Sequence, residues 1–435
     1  GAVTPARVAA ASVMRELRGG SLLDVAIDAA ASGLDARDRR WLHELTFVTL
    51  RRRNWVDAVL AERVRGGLAR LHPDLCDLLR LGVTQLVFMD SVPAYAAIAQ
   101  TVEQAKSACG IGASKLANAV LRRVDRERNS LNPATPADPI DALALEHSHP
   151  RWLVARWIAR WGEEATRRLL ESNNSEAHTI LRPVGLVREQ LEAMLEAAGA
   201  QTFEPALAPS SIALQHGVAL NTLGAFQQGH FFVQDPAATM VTKFAAIPPG
   251  AVVADLCAAP GGKAFELARD AKFVVASDAS ATRLRRLTES VGRMELANVF
   301  AVTADARFPA LRPVDAVLLD APCTGTGTFR RHPDARWRIK PGDLAVMAGA
   351  QRALMDSAAQ IVAPGGLLIY STCSLEQEEN DEQVESFLAD HPEFTLEPPP
   401  AGAVPAAVLD AGRLRVLPHS HGADGAFAAR LRRSA

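Results

Sequence analysis

Asp255-Leu256-Cys257-Ala258-Ala259-Pro260-Gly261-Gly262-Lys263 completes the apolar run that begins at Val252 and leads into a helical segment opening at Ala264. A strand, a loop of small residues and a helix, in that order, mark a unit of an open α/β sheet, whose ligands lie beyond the carboxyl ends of the strands. Two glycines let backbone N–H groups approach a ligand closely, and the helix N-terminus favours a negative group such as a carboxylate. A P-loop would need Gly and Ser or Thr where Cys257 and Ala264 stand, which excludes ATP hydrolysis of that type. Adjacent Gly261 and Gly262, with no third glycine following, also fail the dinucleotide pattern. Residues Cys257, Ala258, Ala259, Pro260, Gly261, Gly262 and Lys263 are therefore candidates for holding a different ligand.

Outward from this loop, Phe273 to Ser277, Val299 to Thr303, Val314 to Leu319 and Leu367 to Tyr370 are short apolar runs separated by helical segments. The alternation predicts a mainly parallel, doubly wound sheet over residues 236–435. Asp278 ends the second strand, where an acid accepts hydrogen bonds from ribose hydroxyls, and Asp305 follows the third, in position for an adenine amino group. Either aspartate alone reads as a helix cap. Their recurrence after successive strands favours a nucleoside. The fourth strand delivers Asp320-Ala321-Pro322-Cys323-Thr324-Gly325-Thr326-Gly327 and the fifth Tyr370-Ser371-Thr372-Cys373-Ser374, so both thiols are expected at one edge of the sheet.

A thiolate adding to carbon 6 of a cytosine makes carbon 5 enamine-like and able to take a methyl group from a sulfonium. Asp320 is placed to act at N3 as a hydrogen-bonding partner or acid. Carbon 5 must then lose its proton before the thiolate leaves. Spacing leaves open whether Cys323 or Cys373 attacks and which assists release.

The remainder of the chain sets the context. With 435 residues, 48% of them hydrophobic and 22% charged, two or three globular domains are expected. Residues 1–135 carry 19 Lys and Arg against 14 Asp and Glu, whereas the whole chain has a net charge of -2. Apolar residues at helical spacing, such as Leu75, Leu78, Leu79 and Leu86, predict an all-helical bundle there. A proline-punctuated linker is expected from Asn129 to Pro139, followed by a small α+β domain over residues 145–235. Trp152, Trp157 and Trp161 recur at helical spacing and read as core rather than stacking platforms. Apolar runs are too short to span a bilayer and the first 18 residues lack a secretion signal, so no membrane partner and a cytosolic location are expected. Five scattered cysteines without CxxC pairs argue for free thiols and no structural metal.

The catalytic-looking residues resemble the Nol1/Nop2/Sun family of RNA cytosine-C5 methyltransferases, through Asp255 to Lys263, Asp278, Asp305, Asp320 to Gly327 and Ser371 to Ser374. That resemblance implies S-adenosyl-L-methionine as cofactor, a Rossmann-like catalytic domain, Cys373 as the nucleophile and Cys323 as the thiol that assists release. The helical third is similar to NusB-type RNA-binding domains, in Asp38-Arg39-Arg40, Arg51-Arg52-Arg53 and Asn118 to Arg123. Together they imply a cytidine in 16S rRNA as substrate, in naked RNA or in a partly assembled small subunit. Ala264 departs from the family's usual Thr, Leu181-Arg182-Pro183-Val184 from its Arg-Val-Asn segment, and Gly425-Ala426-Phe427 from its Gly-Phe-Phe. None of these removes a reacting group, although Pro183 costs a backbone donor.

Arg51, Arg52 and Arg53 are candidate phosphate contacts, but consecutive helical residues cannot share one side. Arg330 and Arg331, directly after the Cys323 loop, are placed to hold backbone flanking an extruded base. Two other readings compete. One is an RNA-binding regulator with an inert C-terminal domain, disfavoured by the intact Cys373, Cys323, Asp320 and Lys263. The other is a methyltransferase acting on tRNA or DNA.

Overall fold

The computed structural model describes residues 2–435, which form two compact units. One runs to Ser175 and includes His332–Ile339. The other comprises Glu176–Arg331 and Lys340–Ala435.

The first unit is helical throughout, as its periodicity predicts. Pro5, Pro73 and Pro139 open helices at Pro5–Arg18, Pro73–Phe88 and Pro139–His147, where a missing N–H costs nothing. Asp35 and Asp138 cap theirs by accepting from Asp38 N and Ile140 N. Leu75, Leu78, Leu79 and Leu86 form one buried stripe with Val56, Val120 and Leu121. At Gly82 a Cβ would lie 3.0 Å from the Leu121 methyls, so only a glycine admits this crossing without repacking.

Of the linker expected from Asn129 to Pro139, residues 131–138 are free of helix, while Arg128–Ser130 forms a short helical turn and Pro139 opens a helix. Helices Pro139–His147, Arg151–Trp161 and Glu163–Asn173 nevertheless pack with the N-terminal helices, so the compact unit continues to Ser175, past the boundary at 145. The reason is polar as well as apolar. Asn54 Nδ2 donates to Ala144 O and His149 O at 2.9 and 3.0 Å, and Asn174 Nδ2 donates to His147 O at 2.7 Å. Trp157 is fully buried here.

His332–Ile339 supplies part of this unit's interior. Arg336 donates to Ser148 O, Asn174 Oδ1 and Asn173 O at 3.2, 2.7 and 3.2 Å, while Trp337 Nε1 reaches Leu50 O at 2.9 Å. Asp334 accepts from Leu23 N at 3.1 Å. Burial pushes the Arg336 pKa down to about 9.

The second unit contains two sheets. The smaller, ordered β2-β3-β1-β4, is antiparallel: β1 Ile180–Pro183, β2 Thr202–Phe203, β3 Ile212–Leu214 and β4 Phe231–Val233. Helix Arg188–Ala197 covers it with Leu191 and Leu195. The donor lost at Pro183 is bypassed, because Val184 N donates to His230 O at 2.8 Å.

The larger sheet is built on β5 Val252–Asp255, β6 Phe273–Asp278, β7 Val299–Thr303, β8 Val314–Asp320 and β9 Val362–Thr372, in the spatial order β7-β6-β5-β8-β9 and all parallel. Alternate residues feed opposite faces: Val253, Ala316, Leu318 and Ile369 pack in one core, and Ala254, Val317, Leu319 and Tyr370 in another. The sheet continues past β9 through β13 Ala426–Arg433, which runs antiparallel, with β12 Arg413–Val416 and β11 Leu409–Asp410 beyond it and β10 Phe394–Leu396 also on β13.

A buried ion pair joins the two sheets of this unit. Arg182 on β1 grips Glu266, on helix Gly262–Leu267, through two bonds of 2.6 and 3.0 Å, and both side chains are more than nine-tenths buried. Removing Arg182 leaves the buried Glu266 to the longer contact with Arg269, at 3.5 Å. Arg182→Met is therefore expected to cost about 3–5 kcal/mol in chemical denaturation, and Arg182→Met with Glu266→Leu to recover most of that loss. Equal stabilities of the single and double variants would refute this account.

Candidate active site

The loop after β5 turns sharply to bring its N–H groups toward the sheet edge. Gly261 adopts φ +114°, a conformation that L side chains rarely enter, and a Cβ there would sit 2.4 Å from the Phe265 ring. At Gly262 a Cβ would come within 2.9 Å of Gln234 Nε2. Gly261 therefore admits only hydrogen, whereas at Gly262 the amide end of Gln234 would have to shift. Ala264, the departure from Thr, is fully buried against the first core.

Asp278 is buried at the end of β6, accepting from Ala259 N at 3.2 Å and Ser280 N at 2.9 Å, so one carboxylate fastens the glycine loop to the next strand. Asp305 is more exposed. The hydrogen-bonded Arg307 guanidinium holds its carboxyl below the usual carboxylate range. A narrow cleft lined by Leu256, Ser277, Val302, Asp305, Pro309 and Leu311 opens beside it. The cleft measures about 20 Å³, room for about one water, so it is not by itself a nucleoside pocket.

Lys263 extends from the loop to Asp320 at the end of β8, Nζ to Oδ2 at 2.7 Å, and Ser371 Oγ donates to Asp320 Oδ1 at 2.9 Å. Burial works against the Lys263 charge, but Asp320 outweighs it and raises the lysine pKa above its ordinary value; Asp255 and Cys373 contribute in the same direction. Asp255 itself is buried at the base of this group, and desolvation, reinforced by Asp320, pushes its acid up to about 7.

Cys323 and Cys373 emerge from β8 and β9 as expected, with their sulfurs 3.2 Å apart. The hydrogen bond with Cys373 and burial push the Cys323 thiol well above its ordinary pKa. Gly327 N donates to Cys373 O at 3.0 Å and Gly425 N to Gly327 O at 2.7 Å, and a Cβ on Gly327 would strike Cys373 O at 2.5 Å. That contact explains why the second glycine of the Cys323 loop lies against the Cys373 loop.

Arg330 and Arg331 lie in a cluster with Asp235 and Asp424 rather than on an open surface. Arg331 meets Asp235 at 2.9 Å and Asp424 at 3.2 Å, and Arg330 meets both at 3.8 Å. Burial, with Asp235 alongside, pushes the Asp424 acid up to about 7. In the helical unit the guanidiniums of Arg51, Arg52 and Arg53 cover the rings of Phe47, Phe88 and Trp337 at 5.2, 5.1 and 5.2 Å, and Arg52 is the exposed member. Three successive arginines thus serve three different faces. Reading the sequence by motif missed Glu376, Glu379 and Asn380, which follow Cys373 and hydrogen-bond the thiol-bearing loops, and although it included Ser371 it did not show that residue's bond to Asp320. The run Glu378-Glu379-Asn380-Asp381 looks like solvated helix charge, and only the burial of Glu379 and Asn380 distinguishes it.

Three family models match the chain: the NusB family over residues 4–126, a ferredoxin-like domain of RsmF/B-like methyltransferases over 149–221, and 16S rRNA methyltransferase RsmB/F over 246–432. Ribosomal RNA small subunit methyltransferase B of Vibrio cholerae is 35% identical, covering 99% of this chain and 98% of its own. The protein of that name from Xylella fastidiosa is 36% identical with the same coverage. The crystal structure of PH0851 superposes with a TM-score of 0.82 at 28% identity over 99% of each chain.

Cys257 stands apart from the other two thiols of the site. Burial, with Asp255 adding repulsion, pushes its pKa up to about 12. It keeps its proton as pH rises through the range near ~8.5 where ordinary thiols ionise. Iodoacetamide at about pH 9 is accordingly expected to leave Cys257 unmodified in the folded protein. Its carboxamidomethylation under those conditions, seen by peptide mass mapping, would contradict the burial described.

Proposed function

This chain belongs to the 16S rRNA methyltransferase RsmB/F family and carries a NusB-like N-terminal domain, and from that premise we propose that it methylates carbon 5 of a cytosine in 16S rRNA through a covalent Cys373 adduct. The observation that carries the reading is the pair of sulfurs 3.2 Å apart at the carboxyl edge, beside the Lys263–Asp320 pair. The relatives from Vibrio and Xylella, matched end to end, support the substrate class.

S-adenosyl-L-methionine, when bound, supplies an electrophilic methyl group. The glycine loop from Cys257 to Lys263, Asp278 and Asp305 would hold it, with the close backbone approach at Gly261 as the fit. The chain's own groups do the rest. Cys373 Sγ, within electrostatic reach of the Lys263 ammonium, adds as thiolate to carbon 6 of the cytosine. Asp320, fixed by Lys263 and Ser371, serves the N3 edge where the ring gains charge. After carbon 5 is methylated its proton passes to a base. The electron pair re-forms the ring double bond as the Sγ–C6 bond breaks, a release that Cys323 assists from its place against Cys373.

Weighing against the regulator reading, the two thiols meet at one sheet edge and are held from both loops. Methylation of tRNA or DNA lacks comparable support from the full-length relatives.

Cys373→Ala is expected to abolish methylation, and Cys323→Ala to accumulate a covalent RNA adduct visible on a denaturing gel. An adduct with Cys373→Ala instead would reverse the two roles. Mass-spectrometric mapping of rRNA from a strain lacking the protein should show one 5-methylcytosine missing from 16S rRNA, and an unchanged map would sink the substrate assignment.

A further inference from the structure

Glu379 belongs to no motif read from the sequence and is fully buried. Its Oε1 accepts from Thr324 N at 2.8 Å and from Gln351 Nε2 at 3.1 Å. Its Oε2 accepts from Thr324 Oγ1 at 2.6 Å and from Ser374 Oγ. Thr324 follows Cys323 and Ser374 follows Cys373, so a single carboxylate grips the residue next to each thiol.

The surrounding bonds hold the carboxylate itself in place. Tyr370 Oη donates to Glu379 O at 2.5 Å, and Gln351 Nε2 also donates to Pro322 O at 2.8 Å, one residue before Cys323. Asn380 accepts from Thr372 Oγ1 at 2.5 Å and donates to Ser374 O at 2.8 Å, on either side of Cys373. A carboxylate in a dry interior is costly unless its lone pairs are filled, and four donors fill these. Three of the four come from the two thiol-bearing loops, which general packing would not require.

We propose that Glu379 is a positioning residue that sets the distance between Cys323 and Cys373, and through it the match between attack and release. The second half of this statement rests on the methyltransferase reading above, whereas the first concerns the two sulfurs alone. Glu379→Ala leaves the loops to the Gly327–Cys373 contact, to the longer hydroxyl contacts of Ser374 with Thr324 and Thr326 at 3.5 and 3.4 Å, and to the Thr326 hydroxyl, which donates to Glu376 Oε2 and accepts from Leu375 N. Glu379→Gln is a rescue variant. Its amide oxygen can keep the Thr324 and Gln351 N–H donors, and its NH2 can donate to the Thr324 and Ser374 hydroxyls, which reverse direction.

The test that needs no RNA is oxidation by diamide, which takes two protons and two electrons from a pair of thiols, leaving a disulfide and the corresponding hydrazine. The unsubstituted protein should form the Cys323–Cys373 crosslink readily, as read by peptide mass mapping. Glu379→Ala should form it at least about tenfold more slowly, since displacements near 1 Å can cost up to about a hundredfold between reacting groups. Glu379→Gln should regain most of the rate. With cytosine-containing 16S rRNA, Glu379→Ala should also hold a covalent adduct in single turnover that Glu379→Gln clears. A folded Glu379→Ala that crosslinks at the parental rate overturns the proposal, as does a Glu379→Gln that behaves like the alanine variant. If Glu379→Ala fails to fold, Thr324→Val combined with Ser374→Ala removes both hydroxyl donors to Oε2 and must slow crosslinking in the same way. Absence of methylation by the unsubstituted protein would remove the functional reading, while the crosslinking rates would still decide the role of Glu379.

Discussion

The parallel pairing of β8 with β9, which places Asp320 opposite Ser371, is the constraint on which the site depends. Cys323 and Cys373 are 50 residues apart in sequence, and no local turn could bring them together. Two parallel strands in register end at the same edge, so the segments that follow them emerge as neighbours. The glycine loop joins them because β5 is the next strand over, within reach of the Lys263 side chain. A slip of one residue between β8 and β9 would exchange the faces of every side chain and separate the sulfurs.

Around that edge the protein buries charge in two distinct ways. Arg182 with Glu266, and Arg330 and Arg331 with Asp235 and Asp424, are opposed charges that neutralise one another inside the second unit. Glu379 is held by hydroxyls and N–H groups, and Asp320 by one ammonium and one hydroxyl. Opposed charges bring segments together, while hydrogen bonds from short side chains fix direction and distance. The second device is concentrated where two sulfurs must keep a spacing of 3.2 Å.

Much of this was legible in the amino-acid sequence. Each of the five parallel strands coincides with an apolar run read between Val252 and Tyr370; in the inner strands burial on both faces requires it, whereas the edge strand β7 is largely exposed. The antiparallel addition of β10 to β13 was not legible. Its strands carry arginines, as in Arg413-Leu414-Arg415-Val416 and Ala429-Arg430-Leu431-Arg432, whose charges are taken up by Asp381 and Glu397 elsewhere in the chain. Cys323, Cys373 and the loop to Lys263 were visible because their residue types are rare at strand ends. Glu379 was hidden by its neighbours Glu378 and Asp381, since adjacent acids on a short helix look alike until burial distinguishes them. The prolines between Asn129 and Pro139 read as a break between domains, whereas compactness follows Asn54 and its reach to Ala144 and His149.

His332–Ile339 bears on how the chain acquires its structure during synthesis. The helices up to Ser175 leave the ribosome more than 150 residues before this segment, yet the carbonyls of Ser148 and Asn173, the amide oxygen of Asn174 and the N–H of Leu23 find partners in Arg336 and Asp334. Until Ile339 has been translated the N-terminal helices have an unfilled polar socket. At about 5–20 residues per second that interval lasts roughly ten to thirty seconds. The helical unit therefore cannot complete its interior as an independent first-born domain, and its final consolidation waits on chain that also encodes the first thiol loop.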